Sequence, residues 1–515
     1  MSTSTDLQGA ELFIGLVGAV GTDLEIVSSA LKDALEEVNY TVQNIRLSDL
    51  LHEIDKWKDL SDGLPEYDRI MKHMDAGNQF RETLESGDAL ALPGIAAIRK
   101  ERKLNSASKN QDEPIPFRAY VFRSLKHQEE ALTLRKIYGA GFSLIAAYSP
   151  RETRLQNLTK RIAESHHVFH ADPYRSKAEF LIQRDEAEVG KKFGQNVRET
   201  FPMSDVFINA SYPDELQKSI VRFVKLLFGD TFHTPTCDEY GMFHAQAAAL
   251  RSSSLGRQVG AAITTNRGDI VAVGTNEVPR AGGGLYWCDD EPDHRDFIKG
   301  YDFSDKMKRD LLADILQRLK SGGWLTEEKN QKDIENLVKE ALAENDSALM
   351  EGAQFMNIIE FGRSVHAEMA ALVDASRRGV SVEGCNLYVT TFPCHDCAKH
   401  IVAAGIQKVV YIEPYPKSLV PEFYVDSIIV DGTGKDQISF VPFVGIAPRK
   451  YMDLFAMTER KYRDGKVAVW KKSTAKPRLV GSPPSYLRNE KDNIDIFYEK
   501  IRQKGLTPII KKEGE

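Results

Sequence analysis

The sequence predicts an α/β protein built from two consecutive units. Two observations carry this. Short apolar, β-branched runs alternate with amphipathic helical stretches over the first 230 residues, the pattern of a mostly parallel sheet covered by helices. Near Thr231–Thr236 the texture changes, and a new series of helices and strands begins. At 515 residues, the chain is also too long for one ordinary core.

In the first unit, strands are expected at Leu12–Val17, Ala119–Phe122, Ser143–Ala147 and Val206–Asn209, with helices such as Asp23–Val38 and Gln128–Tyr138 between them. Asn105–Pro116 is polar and proline-bearing, so a loop is expected there. The second unit opens with a helix at Glu239–Ser253. Strands follow at Val259–Thr265 and Ile270–Gly274, joined through Asn266–Gly268. Gly282–Gly284 then leads into LYWCDDEPDHRDF and a charged helical stretch, which reads as an insertion over about 283–360. The pattern resumes with helix Val365–Arg378, strand Asn386–Thr390, helix Cys394–Ala404 and strand Lys408–Ile412. The expected organisation is therefore 1–230, 231–448 and a C-terminal extension, 449–515.

Composition narrows the class. Hydrophobic content of 42% and charged content of 28% suit a globular chain. No run of about 18 apolar residues and no basic-then-apolar leader is seen, so neither a membrane span nor a secretory signal is expected. Five cysteines suggest a reducing cytoplasm over a disulfide framework. The net charge of −7 is unevenly spread: residues 449–515 hold 17 Lys/Arg against 9 Asp/Glu. Such a basic segment is either a solvated helical tail or a surface for nucleic acid or polyphosphate.

The stretch TTFPCHDCAKHIVAAG, Thr390–Gly405, sets Cys394 and Cys397 three apart at a predicted helix start. Upstream, SVHAEMAAL sets His366 two residues before Glu368 at another. Imidazole and thiolates suit zinc, and three protein ligands leave a fourth position for water. Helix N-termini favour the thiolate form. Glu368 is placed to reach a water without ligating the metal and to move its proton. The alternative is a structural zinc site closed by Cys385, Cys288, His395 or His400. HxE followed by PCxxC, each at a helix start, is the pattern of zinc nucleobase deaminases.

The segment from about Cys237 to Ser418 resembles the deoxycytidylate deaminases through RSSSLGRQVGAAI, GTNEVP, SVHAEMAAL, LYVTTFPCHDCAKHIVAAGIQKVVY and EPYPKS. The two-part chain resembles bacterial anti-phage dCTP/dCMP deaminases, which join a P-loop NTPase-like domain to a cytidine-deaminase-like α/β/α domain. The resemblance implies that Zn2+ is held by His366, Cys394 and Cys397. It implies hydrolysis at C4 of cytosine, with Glu368 carrying protons. Asn276, Ala367 and Tyr415 would contact substrate, although turn formation at Asn276 and plain packing at Tyr415 remain open. It further implies depletion of deoxycytidine nucleotides against phage, a small inhibitory RNA as partner and a homo-oligomer, a hexamer in many deoxycytidylate deaminases. Arg251, Arg257, Arg280, Arg363 and Lys417 are candidates for the substrate phosphates. Rival readings are a deaminase acting on RNA or single-stranded DNA, a zinc-stabilised RNA-binding regulator without catalysis, and an active nucleotide kinase fused to an inactive deaminase.

IGLVGAVGTDL follows the first strand and opens a helix, so Gly15, Gly18, Ala19, Val20, Gly21 and Thr22 are candidates to cradle phosphates. The lysine of a working GxxxxGK[ST] loop is absent, and Asp23 brings a negative charge instead. SPRETRLQNLTKR, QRDEAE and SDVFINAS resemble later parts of nucleotide-kinase-like chains. A degenerate P-loop domain is expected, either binding ATP or another nucleotide as a regulator or serving only as scaffold. Cys288, Asp289, Asp290 and His294 form a second, weaker metal candidate. Cys237 and Cys385 read as core residues.

Overall fold

A computed structural model describes residues 9–508 other than 61–62, 107–109, 189–190, 343–348, 351–352, 416, 433, 457–459 and 479–482. Residues 1–8, where a leader was sought, lie outside the described residues. So do parts of the expected loop at 105–116, parts of the insertion, and the last seven residues of the basic segment. The chain divides into two compact units, Met1–Glu239 with Val444–Glu515, and Tyr240–Phe443.

The first unit is a parallel sheet of β1 (Leu12–Gly18), β2 (Thr41–Arg46), β3 (Arg118–Arg123), β4 (Phe142–Tyr148) and β5 (Val206–Asn209). Their order is β5-β4-β1-β3-β2, and a short antiparallel strand, Gly445–Ile446, extends the β5 edge. All seven β1 residues are buried, which is why its sequence is a nearly continuous apolar run. β2 escapes sequence reading because it is an edge strand whose only buried residue is Ile45.

Helices cover both faces. Val27, Leu31 and Leu35 of helix Leu24–Glu36 share a core with Ile220 and Val224 of helix Pro213–Leu227. On the other face Phe13 stacks on Tyr138 at 3.6 Å between centroids, and Tyr486 meets Phe13 edge-on at 5.4 Å. Tyr486 belongs to helix Pro483–Gln503, so the basic C-terminal segment folds back onto the first unit and does not stand apart as an extension. Tyr486, Ile494, Phe497 and Ile501 bury one face of this helix, a stripe its many charges obscure in the sequence.

A charge cluster anchors the same helix. Arg102, fully buried, pairs with Glu11 at 2.8 Å and with Glu490 at 2.5 Å, while Tyr486 donates to Glu11 at 2.9 Å. Arg99 stands 3.8 Å from Glu490, giving two guanidinium groups for two carboxylates. Removing one buried partner leaves an uncompensated charge, so Glu490→Ala is expected to cost about 3 kcal/mol, the low end of the range because Glu11 still holds Arg102. The readout is a lowered urea midpoint for the first unit. An unchanged midpoint would show that the cluster contributes nothing net.

The second unit is a mixed sheet of β6 (Gly260–Thr264), β7 (Ile270–Thr275), β8 (Asn386–Thr391), β9 (Lys408–Glu413), β10 (Ile428–Val430) and β11 (Ile438–Pro442). The order is β10-β11-β9-β8-β6-β7. β6 runs antiparallel to β7 and β8, and the remaining pairs are parallel. Glycine lets helices approach this sheet closely. A Cβ on Gly274 would stand 2.1 Å from the carbonyl oxygen of Ala367, and one on Gly260 would stand 1.9 Å from that of Ala245. Helix Ala367–Arg377 therefore lies directly on β7, with alanines at 367, 370, 371 and 375 buried against it.

The insertion leaves and returns at one place, because Glu277 and Val365 exchange backbone hydrogen bonds of 3.3 and 3.0 Å. Within it, Leu312, Val338 and Ala341 form a small core of their own. Among the described residues, no helix is long and apolar enough to cross a membrane.

Candidate metal centre

Two helix starts build the site. His366 is the N-cap of helix Ala367–Arg377, and Cys394 is the N-cap of helix His395–Ala403. The second helix follows β8, so Pro393 and Cys394 sit just beyond the strand's C-terminal end, where ligand sites of parallel strands gather. Cys394 Sγ accepts from the Cys397 amide at 3.3 Å, an orphan donor of the first helical turn. Both sulfurs lie 3.3 Å from His366 Nδ1.

The ligand atoms of His366, Cys394 and Cys397 all lie within 4.8 Å of one another. Among the described residues, this is the only group of three or more His, Cys, Asp and Glu side chains that converges so closely. Cys385, Cys288, His395 and His400 do not join it. Cys385 precedes β8 and Cys394 follows it, which puts a whole strand between them. His395 turns its ring towards Phe423, 5.7 Å away. Cys288, Asp289, Asp290 and His294 do not assemble either: Asp290 instead accepts the Trp287 amide at 2.8 Å and pairs with Arg280.

Electrostatics show how the donor set suits a soft divalent cation. The hydrogen bond with Cys397, then the one with His366, hold the Cys394 thiol down at about 4. The same shared proton, with burial, pushes the Cys397 thiol far up. The hydrogen bond to Cys394 lifts His366 to about 9. Without a metal, two thiols and an imidazole thus share protons at one point. Thiolates with an imidazole are zinc's preferred donors, and three of them leave a coordination position open.

Glu368 lies in the first turn of its helix and is 4% exposed. Burial pushes its carboxyl up to about 7, and the negative charge of Cys394 adds to the rise. A carboxyl poised near neutral pH beside an open metal position is matched to proton transfer.

The other expected contacts divide. Ala367 is fully buried at the helix start, pressed on Gly274. Tyr415 is half-buried after β9; burial raises its phenol, and the charge of Cys394 adds to the rise while that of Arg257 opposes it. Asn276 is already engaged: its side chain accepts from the Val259 amide and donates to the Arg257 carbonyl, both at 2.7 Å. It clasps the Arg257–Val259 segment, as the turn-forming role requires. Arg280 pairs with Asp290, and Arg363 with Asp296. Arg251 stacks 3.5 Å over Trp287 and donates to the carbonyls of Leu285 and Tyr286. Arg257, more than half exposed although it pairs with Glu413 at 3.5 Å, and exposed Lys417 stay closest to the role of phosphate partners.

Two positioning residues lay beyond sequence reasoning. Ser418 donates to the Pro393 carbonyl at 2.8 Å and fixes the turn that presents Cys394. Buried Glu277 accepts from the amide and hydroxyl of Ser253, at 2.9 and 2.6 Å, and so ties the base of the insertion to the segment after helix Cys237–Ala249. Only the polar side chain inside the GTNEVP motif hinted at the latter.

In the first unit, Gly15 is a mid-strand residue whose Cβ would collide with Leu125, Leu144 and Phe142 at 2.7–2.9 Å. It belongs to the core and not to a phosphate cradle. Gly18 ends β1, and Ala19, Val20, Gly21 and Thr22 form the turn itself.

Several known proteins are similar to parts of this chain. A Bacillus subtilis (strain 168) protein, ComE operon protein 2, is 38% identical over 91 residues, 15% of this chain and 48% of that protein. The deoxycytidylate deaminase of Enterobacteria phage T2 is 52% identical over 54 residues, 10% of this chain and 29% of that protein. The chain thus spans less than half the length of either relative. The crystal structure of dCMP deaminase from the cyanophage S-TIM5 in apo form aligns with 41% of this chain and all of that one, at 19% identity and a TM-score of 0.22. Residues 235–413, which contain His366, Glu368, Cys394 and Cys397, match the family model of the cytidine and deoxycytidylate deaminase zinc-binding region.

Proposed function

We propose that this chain hydrolytically deaminates deoxycytidine nucleotides, converting dCMP, dCTP or both to the uracil form and ammonia. The observation that carries the reading is the convergence of His366, Cys394 and Cys397 with no fourth ligand among the described residues, beside the buried carboxyl of Glu368. Zinc held by these three residues would supply a Lewis acid that makes water acidic near neutral pH. Glu368 takes one proton from the attacking water and delivers it to N3 of cytosine, then carries the second, from the new C4 hydroxyl, to the departing amine. The C4–N bond breaks, a C4–O bond replaces it, and ammonia leaves. Burial keeps Glu368 at a proton affinity suited to both halves of that transfer. In this reading Tyr415, near enough to feel the charge of Cys394, lines the substrate site, and Arg257 and Lys417 provide positive charge for the phosphates.

The wider setting follows from the resemblance of the two-part chain to anti-phage deaminases. It is depletion of deoxycytidine nucleotides in the cytoplasm of infected cells by a homo-oligomer, six subunits in the simplest case, restrained by a small RNA. The enzymatic core is tested by a substrate panel of dCMP, dCTP, CMP, CTP, cytidine and cytosine-bearing oligonucleotides, read by uracil formation. Conversion of the deoxynucleotides is expected. Conversion of oligonucleotides alone would replace this reading with a polynucleotide deaminase.

A further inference from the structure

The turn between β1 and helix Leu24–Glu36 has the backbone of an anion cradle, but the chain supplies its own anion. Gly21 takes φ +90°, and a Cβ there would stand 2.6 Å from the Arg154 carbonyl oxygen, so Arg154 lies directly against the turn. The Val20 amide donates to Asp185 Oδ2 at 2.6 Å. Asp185 is fully buried on helix Arg175–Glu186. Lys126 Nζ stands 2.8 and 2.9 Å from its two oxygens and also donates to the Gly18 carbonyl at 2.9 Å. The positive charge missing after Gly21 in the sequence thus arrives from Lys126, beyond β3.

Two further polar atoms, one in the turn and one in the residue packed against it, stay unmet. Thr22 Oγ1 and Arg154 Nη1 are buried without a hydrogen-bond partner, in residues each 8% exposed. A buried donor left unmet is costly. A carboxylate offers two oxygens in one plane, whereas a phosphate offers a tetrahedral set able to meet more donors at once.

We propose that this turn is a phosphate site closed by Asp185, and that a phosphate-bearing ligand enters only by displacing that carboxylate. The ligand would take over the Val20 amide and Lys126 and engage Thr22 and Arg154. Two anions cannot share one amide and one lysine, so occupancy by Asp185 and by phosphate are mutually exclusive. The inference is independent of the deaminase reading, since every group in it belongs to the first unit.

The experiment compares the full-length chain with Asp185→Asn, and with Asp185→Ser in case the amide imitates the carboxylate. Inorganic phosphate, tripolyphosphate and ATP are titrated calorimetrically, and circular dichroism melts verify folding. Tripolyphosphate and ATP are expected to bind at least about ten-fold tighter to a folded variant than to the wild-type chain. Lys126→Met added to that variant should abolish the gain. A gain shared equally by ATP and tripolyphosphate supports the site with the phosphate chain as ligand, and a larger gain for ATP supports it with a nucleotide. Equal affinity in wild type and both folded variants, or no binding to any of them, overturns the proposal.

Discussion

Replacing Glu368 by glutamine is expected to slow deamination by about 10²–10⁴-fold while leaving the metal content unchanged. Glutamine matches glutamate in shape but cannot accept the proton of water or return it to an amine. The position is 4% exposed, so bulk water has little access to substitute for the missing base. Burial already holds the carboxyl near 7, close to the best compromise between accepting and releasing a proton. Glu368 stands outside the converging trio of His366, Cys394 and Cys397, so its loss removes no ligand. Uracil formation gives the rate, and elemental analysis gives zinc per chain. A Glu368→Gln protein retaining a tenth or more of the wild-type rate would remove Glu368 from the proton path.

The site was legible in the sequence where its chemistry is local. His366 and Glu368 share one helix start, and Cys394 and Cys397 share another, so short spacing encodes their geometry. Residues whose roles depend on distant partners were not legible. Nothing near Arg363 in the chain announces Asp296, 67 residues away. Nor does the sequence around Asn276 announce its two hydrogen bonds to the 257–259 segment, 17 and 19 residues away. The same holds for elements. Strands with buried apolar runs, such as β1, announced themselves, whereas half-exposed β2 and the three-residue β10 carried too few apolar positions. A helical tail was expected at the C-terminus, but its packing was hidden by its charge: Glu490, which anchors it, is itself charged yet buried against Arg102.

Cys397→Ser is expected to lose both zinc and deamination. Cys397 is fully buried, and its sulfur lies 3.3 Å from His366 Nδ1. A serine hydroxyl there does not ionise near neutral pH and is too hard to replace a thiolate. Zinc held by a complete protein ligand set is worth roughly 10–16 kcal/mol, so removing one of three ligands forfeits roughly 3–5 kcal/mol, or about 10²–10⁴-fold in affinity. A metal held by the three residues would also join the starts of two helices, Ala367–Arg377 and His395–Ala403, which otherwise meet through a core rich in alanine. Loss of zinc should therefore lower the thermal midpoint of the second unit as well as its activity. The fold will not dissolve as a metal-dependent finger does, because Leu387, Val389, Ile401 and Val409 remain packed beneath the site. Cys385→Ser is the control: that thiol is also buried but lies at the far end of β8, and its loss should leave zinc in place. A Cys397→Ser protein with full zinc, or a Cys385→Ser protein without it, would mean that the metal sits elsewhere.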